Sequence, residues 1–128
     1  MVKVTRFALA PIADCAMDLA LKRIILFTPD MPRLTGFYRD VLGLRLKIDE
    51  PSYKEFDAGG CGIALHNGTS RVGARPPKLS FATEDITAAR ATLITRGAKL
   101  GEVKSGAGLS RCEGKDPDGN PFQLSSRS

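Results

Sequence analysis

Near its C-terminus the chain reads KDPDGNPFQL, a tight turn that runs into a strand and places Gln123 four residues beyond Gly119. A strand built to hold a metal would offer a carboxylate or an imidazole there; a lone amide oxygen is a weak ligand. Little elsewhere completes a metal site by local spacing. His66 is the only histidine, which excludes imidazole-rich sites. The three cysteines, Cys15, Cys61 and Cys112, are far apart and form no C-x-x-C pair. They fit the reduced thiols of a cytoplasmic protein better than a disulfide framework or a zinc site. No histidine stands at a recognisable spacing from Cys61 or Cys112, so both read as small buried hydrophobes rather than nucleophiles. What remains is a set of cations and a few acids, among them Glu113, two residues before Lys115. Groups of that kind bind anions or, with a base such as His66 or Glu113, move a proton beside a positive charge.

The elements that position these groups follow a regular punctuation from Lys22 onward. RIILFTP is a short apolar, β-rich run and reads as a strand. DMPRLTGFYRDVLG opens on Asp30 as a cap, carries Leu34, Phe37, Tyr38, Val41 and Leu42 at helical spacing, and closes on Gly43. Phe37 and Tyr38 are expected in the core. LRLKID, YKEFDAG and CGIALHNG follow as strands. The same order returns after the loop TSRVGARPP: strand KLSFATED, helix DITAARATLITRG ending at Gly97, then strands KLGEVK, LSRCEGK and PFQLSS. An offset of 55 pairs Thr28 with Thr83 and Asp30 with Asp85, and an offset of 54 pairs Gly43 with Gly97 and Leu46 with Leu100, so the helices differ by one residue. Duplicated units of this sort bury their faces against each other. The expected fold is α+β, two tandem βαβββ modules at about 22–68 and 77–126 within a single domain at 22–126, helices on one face of mixed sheets. In the last turn, Pro117 pre-sets its backbone angle, Asp118 is expected to bond local amides, and Gly119 accepts positive φ.

Composition narrows the function classes. At 128 residues one core is expected. The net charge of +5 is scattered over arginines and lysines with acids between them, without the basic helix or aromatic interleaving of a nucleic-acid surface. No run approaches the roughly 18 apolar residues of a membrane span. Residues 1–21 form an N-terminal extension without an assigned role. Pro11 and Asp14 interrupt its apolar patch, which argues against a signal peptide, and Asp14 is unsuited to precede a lipoprotein cysteine at Cys15. Met17 is expected as an alternative start, which N-terminal sequencing of native protein checks.

FYRDVLGLRL after a strand, with DPDGNPFQL closing the second half, resembles the vicinal oxygen chelate superfamily over roughly Lys22 to Ser126. That group includes glyoxalase I, methylmalonyl-CoA epimerase, extradiol dioxygenases, and fosfomycin- and bleomycin-resistance proteins. The resemblance implies sheets curled around a trough, helices on the outer face, and a homodimer. In catalytic members a divalent metal is held by the first and last strands of each half. Carried onto this chain, those positions fall at Arg23, Ala64, Lys78 and Gln123. Two cations, a methyl group and an amide make no metal site, so no metal and no other cofactor is expected.

If Arg23 faces the trough, strand alternation puts Ile25 and Phe27 with it and turns Ile24 and Leu26 toward the helices. By the same rule Gly62, Ala64 and His66 face in, as do Lys78, Ser80 and Ala82, and Gln123 and Ser125. The expected ligand-binding residues are Arg23, Phe27, His66, Lys78, Ser80 and Gln123: the cations for a carboxylate or phosphate, the others for orienting bonds and an apolar wall. The bland alternatives are that Arg23 and Lys78 snorkel to water, that His66 serves only a strand end, or that Glu113 neutralises a cation. The expected function is metal-free small-molecule binding, akin to the bleomycin-resistance branch but for a ligand smaller than a large stacked drug. The alternatives are a metal-dependent lyase, isomerase or dioxygenase that recruits His66, Glu113 and Glu55, or a metal-free enzyme with His66 or Glu113 as base.

Overall fold

Two copies of one strand-helix-strand-strand-strand unit follow each other along the chain. The computed structural model describes residues 19–127; Cys15 and the expected start at Met17 lie outside the described residues. The first unit comprises β1 (Arg23–Thr28), α1 (Met31–Gly36) running into a π-helical turn at Phe37–Val41, β2 (Arg45–Glu50), β3 (Tyr53–Asp57) and β4 (Gly62–Asn67). The second comprises β5 (Leu79–Ala82), α2 (Ile86–Thr95), β6 (Lys104–Gly106), β7 (Leu109–Lys115) and β8 (Pro121–Ser125). Each unit forms one four-stranded sheet, ordered β1-β4-β3-β2 and β5-β8-β7-β6. The first strand lies parallel to the last in each, and the remaining pairs are antiparallel, so both sheets are mixed as expected.

The helix ends follow from their sequence. The carboxylates of Asp30 and Asp85 accept hydrogen bonds from the backbone amides of Arg33 and Ala88, at 3.1 and 3.0 Å. Gly43 and Gly97, at φ of 76° and 107°, turn the chain out of each helix. Between these landmarks the extra residue of the first unit finds its place. Ala98 N donates to Leu93 O, closing α2 over five residues, while Leu44 N donates to Tyr38 O, closing α1 over six. Leu42 N reaches back to Phe37 O, so the added residue is absorbed as a π turn rather than a loop.

The two units share their interior. Leu34, Phe37 and Tyr38 of the first helical segment pack with Phe56, Ile63 and Leu65, and Leu79 and Phe122 of the second unit join them. Ile86, Leu93, Cys112 and Leu124 form a second cluster, against which Val41 and Leu42 of the first unit pack. Neither unit therefore covers its apolar face alone.

Two local expectations need correction. KLGEVK does not form a strand along its length: only Leu100 bridges Gly114, and β6 begins at Lys104. Arg90 on α2 takes the intervening carbonyls, donating from Nε to Gly101 O at 2.7 Å, which turns this stretch away from the ladder. In the DPDG turn, where Gly119 has φ of 92°, the carboxylate that bonds local amides is Asp116, not Asp118. Asp118 instead accepts from Arg33 of α1 at 3.1 Å.

Candidate functional site

Sheet alternation sorts the strand residues largely as their sequence suggests. Leu26, Ile63, Leu65, Leu79, Phe81, Phe122 and Leu124 pack into the core. Ile24 was expected there too but stays 37% exposed, since β1 lies at the sheet edge. The opposite faces carry the polar set.

On the first sheet, Arg23 donates from Nε to Glu55 Oε1 at 2.8 Å, and the Tyr53 hydroxyl donates to the same oxygen at 2.7 Å. Glu55 stands opposite Ala64 in the β3–β4 ladder and is only 3% exposed. Small neighbours make room for it: a Cβ on Gly62 would lie 2.6 Å from Glu55 Oε2. Hydrogen bonding from Tyr53, then from Arg23, holds the Glu55 carboxyl below the usual carboxylate range, and the same contact raises the Tyr53 hydroxyl. At the other end of the face Phe27 pairs with His66 across the parallel ladder. The His66 ring meets Phe27 and Tyr53 edge-on at 5.6 and 6.3 Å, and its Nδ1 lies 2.9 Å from Asn67 O. Ile25 and Phe27 remain 47% and 49% exposed. They edge a cavity of about 250 Å³ shared with Thr69, Ser70 and Arg71.

The second sheet repeats the arrangement with different chemistry. Lys78 donates from Nζ to Glu113 Oε2 at 2.6 Å, and Glu113 stands opposite Gln123 in the β7–β8 ladder. Gln123 donates from Nε2 to Ser80 Oγ at 2.9 Å, across the parallel β5–β8 pair. Lys78 holds the Glu113 carboxyl below the usual range, aided by Arg111. Ser125 is buried, and its hydroxyl accepts from Arg127 N.

The duplication relates these groups: Arg23 corresponds to Lys78, Glu55 to Glu113, and Ala64 to Gln123. A cation on or just before the first strand is thus tied to a carboxylate on the third strand in both units. Of the expected ligand-binding residues, Arg23, Phe27 and His66 share one face and Lys78, Ser80 and Gln123 the other. Tyr53, Glu55 and Arg111 join these faces without having been assigned to them. Their signal was present as Tyr53-x-Glu55 and Arg111-x-Glu113, alternate residues on strands next to the last one of each unit. Among the described residues no three His, Cys, Asp or Glu side chains come together to hold a metal ion.

These depressed carboxyls make stability depend on acid. Glu55 and Glu113 bind protons less readily folded than at their ordinary value of 4.5, so the unfolded chain takes up more protons. The stabilisation is complete above that value and is lost as pH falls through the lowered ones. Urea midpoints are expected to hold from pH 7 down to about 5 and then to decline. A Glu55→Gln, Glu113→Gln double variant is expected to decline less steeply.

Fold and sequence comparisons agree. A family model described as Glyoxalase/Bleomycin resistance protein/Dioxygenase superfamily matches residues 20–124. Lactoylglutathione lyase from Agrobacterium tumefaciens superposes with a TM-score of 0.69 at 18% identity, over 83% of this chain and 92% of that one. TnmS3, an antibiotic binding protein from Streptomyces sp. CB03234, gives 0.72 at 21% identity over 85% and 97%. The fosfomycin resistance protein FosX from Mesorhizobium loti gives 0.70 at 15% identity over 87% and 93%. At such identities the likeness is one of fold. No curated protein matches the chain by sequence. The match to the family model spans most of the chain, and the duplicated βαβββ fold is the one its structural neighbours share: the chain belongs to the glyoxalase/bleomycin resistance protein/dioxygenase superfamily.

Proposed function

We propose that the protein binds a small organic anion on its trough faces and does so without a metal ion. The observation that carries this reading is the pair of salt bridges, Arg23–Glu55 and Lys78–Glu113, occupying the region where the resemblance places metal ligands. A guanidinium and an ammonium there repel a divalent ion, and the one carboxylate near each is already bonded to its cation. Sequestering a molecule needs only affinity, so nothing in this role calls for the metal.

Ile25 and Phe27 supply an apolar wall, while His66, Ser80 and Gln123 offer orienting hydrogen bonds. A neighbour of known role points the same way: TnmS3 is described as an antibiotic binding protein. Exposed apolar side chains on the edge strand β1, namely Ile24, Ile25 and Phe27, favour a second copy of the chain as the cover for that edge. Reduced Cys61 and Cys112 suit the cytoplasm. Catalysis with Glu113 as general base is the weaker reading, because Lys78 holds that carboxyl ionised and makes it a poor proton acceptor near neutral pH.

A thermal-shift screen of small organic acids tests the reading. Hits are expected to lose their stabilising effect in Arg23→Ala or Lys78→Ala. Hits that survive both substitutions unchanged place the ligand elsewhere and contradict it.

A further inference from the structure

Lys104 on β6 stands directly across from Arg111 on β7. Like charges opposite each other in an antiparallel pair repel, so this pairing weakens the hairpin unless something negative lies near it. The strand alternation fixes which way they point. Cys112 is buried in the core, so Arg111 and Glu113 on either side of it face outward, on the polar face of the sheet. Among the described residues the carboxylate bonded there is that of Glu113, and Lys78 takes its hydrogen bond. Arg111 forms a longer ion pair with Glu113, its Nε 3.7 Å from Oε2, but neither Arg111 nor Lys104 makes a side-chain hydrogen bond to another described residue. Beside them lies a depression of about 370 Å³ lined by Gly101, Glu102, Lys104, Arg111, Cys112 and Glu113. Two cations, Lys104 and Arg111, and two carboxylates, Glu102 and Glu113, line it, so its formal charges balance.

We propose that this depression is an anchoring site for the carboxylate of a small organic anion, gripped by Arg111 and Lys104. The proposal rests on the small-molecule-binding reading above and assigns the charged end of the ligand to the second unit. Arg111 has a planar fork of unused donors that matches a carboxylate in two parallel bonds, and Lys104 adds a point charge from the facing strand. Glu113 has two effects: it holds Lys78 in place, and it repels the incoming anion, which limits affinity. Because Arg111 is about half exposed, the grip weakens with added salt.

The test uses the full-length protein at low salt, titrated with benzoate and with the uncharged benzamide, and followed by backbone and arginine side-chain NMR signals. Benzoate is expected to shift the signals around Lys104 and Arg111, and benzamide is not. Arg111→Gln and Lys104→Gln are each expected to weaken benzoate about tenfold, and Glu113→Gln to tighten it a few-fold. Equal binding of benzamide, or no binding of benzoate at all, overturns the assignment. So does affinity unchanged in both cation variants. If affinity falls in Lys78→Gln but holds in Arg111→Gln and Lys104→Gln, the anchoring site is wrong while the broader binding reading stands.

Discussion

Replacing Asp116 with alanine is expected to cost about 3–4 kcal/mol of folding stability, a large part of what a domain of this size possesses. Asp116 is 4% exposed and gathers four donors. Its Oδ1 accepts from the amides of Asp118 and Asn120, each at 2.9 Å; its Oδ2 accepts from the Asn120 side chain at 2.8 Å and the Tyr38 hydroxyl at 2.7 Å. The first three bonds hold the DPDG turn, and the fourth ties that turn to the π-helical turn of the other unit. Alanine leaves the Tyr38 hydroxyl without its partner at a fully buried position. Tyr38→Phe removes the donor instead, leaves the turn intact, and is expected to cost only about 1–2 kcal/mol. Urea denaturation of both variants checks the ranking. Equal losses would mean that the turn contributes little and that the link between units is the whole effect.

The second large effect is expected at Phe122, whose replacement by alanine should cost about 3–5 kcal/mol. This ring comes from β8 of the second unit yet sits in the cluster of the first, edge-on to Phe37 at 5.6 Å and to Phe81 at 6.3 Å. Space around it is tight from the sheet side as well: a Cβ on Gly114 would come within 3.2 Å of the ring and 2.7 Å of the Lys99 carbonyl. Since Phe122 fills the seam, its loss is expected to lower the midpoint of both units together, in one transition. Two separated unfolding transitions would show instead that each unit holds its own core.

Much of the fold is legible in the sequence. Apolar alternation, the two capping aspartates and the glycines at 43 and 97 fixed the element order, and the change of offset between the halves announced the extra residue in the first helix. What offset arithmetic could not tell was whether that residue would loop out or wind in. The geometry of the Tyr38 and Phe37 carbonyls decides for a π turn. The polar face was legible as a set of residue types, since the resemblance places Arg23, Lys78 and Gln123 on it and strand alternation extends it to their neighbours. Glu113 as the partner of a cation was among the alternatives, but which cation it takes and the Arg23–Glu55 pair were not legible, because these contacts link positions 35 and 32 residues apart and long-range partners follow from strand order rather than from local pattern. Lys104 and Arg111 escaped for a related reason: the strand expected over KLGEVK starts late, and only the shortened β6 sets Lys104 across from Arg111.

Arg23 and Lys78, each bonded to a carboxylate, stand where the resemblance places metal ligands, which is why metal-free binding is proposed. Metal content of protein purified without chelators, followed by melting curves with manganese, nickel, zinc and iron(II), tests it most directly. The expected result is no bound metal and an unmoved transition with each ion. Near-stoichiometric metal, or a rise of several degrees at modest concentration that Arg23→Ala and Lys78→Ala alter, would contradict it and favour a metal-dependent enzyme.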